Sequence, residues 1–83
     1  MTGFPDATAV HAAVLRVLGL VLEIDPSPGV LAREACPEWD SLKHVQIVFA
    51  LEDTFGLAFS LEELAELNDS ETIARYVADR LGA

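Results

Sequence analysis

Apolar residues recur at helical spacing in three long runs, and nowhere do they alternate with period two for long enough to predict a sheet. In the first run Val10, Val14, Leu18 and Val21 line one face, widened by Leu15 and Leu22. The spacing predicts a helix starting near Pro5-Asp6, because proline suits a first turn and an early acid complements the helix dipole. It ends either at Gly19 or at Leu22, before Asp25-Pro26-Ser27-Pro28-Gly29 makes continuation impossible. The second run predicts a helix from Ser41 to Phe55, stopped by Gly56 as a glycine C-cap. Ser60 followed by Glu63 is a capping box and opens a short third helix reaching toward Leu67. Asn68-Asp69-Ser70 breaks that helix, and Asp69 or Ser70 caps a fourth with Ile73, Tyr76, Val77 and Leu81 on one side. The expected fold class is all-α: a four-helix bundle with three longer helices, one short third helix and a long first loop.

That loop, residues 23–40, holds three of the four prolines. Ile24, Val30 and Leu31 are available to pin it onto the core, which favours order over disorder in a connection of this length. Residues 1–83 read as a single domain with residues 1–4 as a flexible tail.

The second helix carries apolar residues on two sides. At about 100° per residue, Ile47, Val48, Leu51 and Phe55 cluster into a core stripe. Leu42, Val45 and Phe49 fall nearly opposite, with Gln46, Glu52 and Asp53 around them. A helix buried all round explains this in a large protein, but a small bundle offers little room for it. The other explanation is a surface anchor for a second protein, with acids at its rim to steer the encounter.

Charge narrows the partners. Fourteen acidic against five basic residues give a net charge of −9, which disfavours a nucleic-acid ligand and favours basic protein partners. Most of the negative charge lies in residues 23–40 and 61–83. With 52% hydrophobic and 23% charged residues the chain has enough apolar surface to fold without metals. Cys36 is the single cysteine, so no intrachain disulfide and no four-cysteine zinc site is expected, and the thiol reads as structural or incidental. No apolar run approaches the roughly 20 residues that span a bilayer, and no signal core is present. The chain reads as a cytoplasmic monomer with no membrane role.

Chemistry concentrates at Trp39-Asp40-Ser41-Leu42. A helix starting near Ser41 aims its free N–H groups and positive dipole end at anything attached to that hydroxyl, and phosphate is the natural candidate. The competing reading is that Ser41 is an ordinary cap. A hydrolase built on Asp40, Ser41 and His44 lacks a recognisable oxyanion hole, nucleophile elbow and separate orienting acid. His44 projects toward the Leu51 and Phe55 side, and His11 sits on an Ala-rich face as a surface or packing residue. The protein is not expected to be an enzyme.

The segment from Trp39 to Gly56, WDSLKHVQIVFALEDTFG, closely resembles the carrier-arm region of acyl carrier proteins. The similarity extends over nearly the whole chain through the helix order, the long first loop and the short third helix. The resemblance implies a covalent 4′-phosphopantetheine arm on Ser41, donated by coenzyme A and attached by a separate phosphopantetheinyl transferase that recognises Asp40. Its terminal thiol would carry an acyl group as a thioester. The residues implied to meet partner proteins are Trp39, Leu42, Val45, Phe49, Glu52 and Asp53. Those partners are acyl-loading and acyl-processing enzymes such as an acyltransferase or a ketosynthase. Inward-facing residues of the second helix, the first loop and the third helix would line a space for the cargo. Lys43, His44 and Gln46 replace residues that are often acidic or small in fatty-acid-synthesis carriers, and Trp39 is similar to discrete carriers of polyketide or other specialised pathways. The expectation is a free-standing acyl carrier, with an aminoacyl or peptidyl carrier and an unmodified helical interaction module as the alternatives.

Overall fold

The computed structural model describes residues 7–25 and 31–82. Four α-helices are present among them: α1 (Ala7–Leu22), α2 (Ser41–Phe55), α3 (Leu61–Leu64) and α4 (Ser70–Arg80). Three are long and one is short, and no strand occurs among the described residues, so the fold is a small all-α bundle. The expected helix start at Pro5-Asp6, the tail over residues 1–4, and Val30 lie outside the described residues.

Helix α1 packs against both α2 and α4. Val10, Val14 and Leu18 from α1, Ile47 and Leu51 from α2, and Ile73 and Val77 from α4 are almost wholly shielded from water. Val17, absent from the expected α1 stripe, is buried as well, because α1 is covered on two sides. Of its two expected endings α1 takes the later one and runs through Gly19 to Leu22. Burial of Leu22 rewards the extra turn. Glu23 then adopts left-handed φ of 58°, and Ile24 N donates to the Gly19 carbonyl at 3.1 Å, a bond of the Schellman type. The Lys43 ammonium adds a second cap by donating to the Val21 carbonyl at 3.1 Å.

The long first loop contains a 3₁₀ turn, Arg33–Ala35, that the apolar pattern does not signal. Tertiary backbone bonds hold the loop. Arg33 N donates to Asn68 O at 2.8 Å and Ser70 N to Leu31 O at 2.8 Å, with an isolated antiparallel bridge between Ala32 and Asp69. Ile24 and Leu31 pack on the core as expected.

Ser70 has no exposed surface and is not the cap of α4. Its hydroxyl accepts from Leu31 N at 2.9 Å and bonds His11 Nε2 at 2.9 Å, joining α1, the loop and α4 at one buried point. The Asp69 carboxylate caps instead, accepting from Thr72 N at 2.7 Å.

The Ser60–Glu63 capping box is complete in both directions. Helix α3 stops at Leu64, one turn before the expected end at Leu67, yet Leu67 is fully buried. Arg80 fastens this region to α4: it donates to the Ala58 carbonyl, pairs with Glu63 and lies over the Phe59 ring. No helix of the described residues is long and apolar enough to cross a membrane.

Candidate functional site

The start of α2 divides two tasks between adjacent residues. Asp40, in extended conformation, is the N-cap, and its carboxylate accepts from Lys43 N at 2.8 Å. His44 N reaches the Asp40 carbonyl at 2.9 Å. Ser41 is therefore the first helical residue and is relieved of capping. It is exposed, and its hydroxyl bonds to no other described residue. The backbone N–H groups of Ser41 and Leu42 also have no partner among the described residues, as expected for a first turn.

The two-sided reading of α2 agrees with its burial. Ile47, Val48 and Leu51 are buried and Phe55 packs on the core. On the other side Leu42 is 66% exposed, Val45 40% and Phe49 64%. From Ser41, Val45 lies one turn on and Phe49 two, so the serine hydroxyl sits at one end of this apolar strip. Asp53 is exposed near its far end.

Two expected members of the partner surface are occupied otherwise. Trp39 is only 3% exposed: its indole is in the core, where Nε1–H donates to His44 Nδ1 at 3.0 Å. Burial of a large ring becomes favourable once its single N–H is satisfied. Glu52 is half-buried, and its carboxylate accepts from Phe59 N at 2.9 Å, which fixes the turn into α3. Its charge stays near the strip, but one oxygen is committed to the backbone.

His44 is buried at the rim of the core, and its ring nitrogens engage Trp39 and the Leu64 carbonyl, the latter at 2.8 Å. It makes no bond to Ser41. The Asp40, Ser41 and His44 side chains thus form no hydrogen-bonded relay. Arg33 steadies the approach to α2 by donating Nε to the Trp39 carbonyl at 3.3 Å and Nη1 to Asn68 Oδ1 at 3.2 Å. The buried Cys36 thiol is raised above its ordinary value of 9.0, chiefly by burial and then by its hydrogen bond to Glu38. No cluster of three metal-ligating side chains occurs among the described residues.

Sequence reasoning missed the Trp39–His44–Leu64 chain and the His11–Ser70–Leu31 node. Neither leaves a spacing signal, since each joins residues from separate elements. The fold and site together define a small helical bundle with a free serine hydroxyl at a helix start beside an apolar strip. No family model matches the chain, and no solved structure matches it.

Proposed function

We propose that this protein is a carrier whose Ser41 receives a 4′-phosphopantetheine arm from coenzyme A through a separate phosphopantetheinyl transferase. The observation that carries the reading is the division of labour at the start of α2: Asp40 takes the capping role and leaves the Ser41 hydroxyl exposed and unbonded among the described residues. The residues fit the group, because the free N–H groups of Ser41 and Leu42 and the positive end of the helix dipole favour an attached phosphodiester. When bound, the arm supplies a terminal thiol able to carry an acyl group as a thioester.

The chain's own residues do three things in this reading. Ser41 provides the oxygen for the new phosphodiester, with the adenosine bisphosphate of coenzyme A as leaving group and the serine proton passing to the transferase or solvent. Asp40 holds the helix start in place and marks it for the transferase. Leu42, Val45 and Phe49 form the strip on which loading and processing enzymes such as an acyltransferase or a ketosynthase dock, with Asp53 and the free face of Glu52 supplying negative charge. The protein presents substrates and does not itself catalyse. We assign it to polyketide or other specialised biosynthesis in the cytoplasm, on the similarity of Trp39 to discrete carriers of those pathways and on Lys43, His44 and Gln46, which depart from fatty-acid-synthesis carriers.

Intact mass after incubation with coenzyme A and a broad-specificity phosphopantetheinyl transferase tests this. One phosphopantetheine is expected to add to the unsubstituted chain and none to Ser41→Ala. No gain, or a gain that survives Ser41→Ala, overturns the assignment.

A further inference from the structure

Trp39, His44 and Leu64 form a hydrogen-bond chain from the residue before the α2 cap, through the first turn of α2, to the last residue of α3. Its directions are forced. An indole nitrogen only donates and a carbonyl oxygen only accepts. The Trp39 N–H at 3.0 Å therefore needs a bare lone pair on His44 Nδ1, and the Leu64 carbonyl at 2.8 Å needs a hydrogen on Nε2. One tautomer of the neutral imidazole meets both demands, and the imidazolium, with a hydrogen on each nitrogen, does not. The two rings lie 6.1 Å apart at 28°, and both residues are buried.

Most ionisable groups on the surrounding elements are bonded elsewhere, and Arg16 of α1, Asp53 of α2 and Glu62 of α3 make no bond to the His44 ring. On α2, Asp40 holds Lys43 N, Glu52 holds Phe59 N, and the Lys43 ammonium reaches Val21 O and Glu23. In the loop, Glu38 accepts from Cys36 and Arg33 donates to the Trp39 carbonyl. In and after α3, Glu63 engages Ser60 N and Arg80 of α4, and Glu66 accepts from Tyr76 of α4. On α1, His11 is bonded to Ser70. No carboxylate accepts from the His44 ring, so none is in place to hold a second ring proton.

We propose that Trp39 and His44 form a pH-sensitive latch on the loop that leads into α2. A proton arriving from solvent at Nδ1 puts N–H against N–H and breaks the Trp39 bond. The Leu64 bond survives, because Nε2 keeps its hydrogen. The break is thus confined to the Trp39 side and loosens the seat of the indole, while Arg33 still holds the Trp39 carbonyl ahead of the cap of α2. This device is independent of any modification of Ser41.

Trp39 is the single tryptophan, so its fluorescence reports the latch directly. Lowering the pH from 8, over the range in which circular dichroism shows the helices intact, is expected to shift the emission of the unsubstituted chain to the red in one single-proton transition. His44→Gln should abolish the transition and His11→Gln should keep it. Absence of a transition, or an unchanged one in His44→Gln, overturns the proposal. Long-range proton–nitrogen spectra of the unsubstituted imidazoles give a check that needs no variant. Hydrogen on Nε2 alone at pH 8, with Nδ1 gaining its hydrogen over the range of the emission shift, is the expected result. Hydrogen on Nδ1 at pH 8, or titration over a different range, refutes the latch.

Discussion

The Asp40 carboxylate and the Lys43 backbone N–H, 2.8 Å apart, close the first turn of α2 and so free Ser41 from capping. Removing the carboxylate takes away the protein acceptor of that exposed N–H and weakens the start of α2. Asp40→Ala is expected to cost about 1 kcal/mol, a fall in Tm of about 4–8 °C for a domain of this size. Asp40→Asn keeps a capping oxygen and should lose only a few tenths of that. Thermal unfolding followed by circular dichroism measures both. In the proposed function, Asp40→Asn should still slow the transferase, which separates recognition of Asp40 from its capping role.

The two faces of α2 should respond oppositely to substitution. Leu51 is fully shielded, and Leu51→Ala is expected to destabilise the fold by about 2–5 kcal/mol through lost burial and a residual cavity. Phe49 is mostly exposed, so Phe49→Asp should change stability by no more than about 0.5 kcal/mol. Urea unfolding of both variants gives the comparison. The Phe49→Asp protein, once carrying the arm, should be a poor substrate for partner enzymes with its helix content intact. Unfolding by Phe49→Asp contradicts the surface assignment.

The Cys36 thiol predicts a pH dependence at the alkaline end. Its folded value lies above the ordinary 9.0, so the neutral thiol is favoured in the native state. The associated stability is present below 9.0 and is lost as pH rises, because the unfolded chain ionises first. Denaturant midpoints are expected to fall above that pH in the native sequence and to fall less in Cys36→Ala. Alkylation by iodoacetamide at pH 8 should be much slower in the folded than in the urea-unfolded protein, since the buried thiol is both shielded and un-ionised.

Local patterns made much of this molecule legible. The helical spacing of Val10, Val14 and Leu18, of Ile47 and Leu51, and of Ile73 and Val77 identified the buried faces, because burial in a bundle repeats with the helix period. Gly56, in left-handed conformation at φ 68°, and the Ser60–Glu63 box marked boundaries through chemistry confined to a few neighbouring residues. The opposition of Leu42, Val45 and Phe49 to that core was readable for the same reason.

What the sequence by itself determined, then, were the helices, their inward faces and the exposed strip that begins beside Ser41. Only the tertiary structure decided where Trp39 goes, that the Asp40 and Asp69 carboxylates cap α2 and α4 in place of Ser41 and Ser70, and how the first loop is held. Trp39 turns inward because His44, fixed by the Leu64 carbonyl from another helix, satisfies its N–H. Ser70 is buried rather than capping because Leu31 N and His11 reach it from elements far away along the chain. Polar satisfaction of this kind depends on groups that meet only after packing, so no period or spacing along the chain announces it.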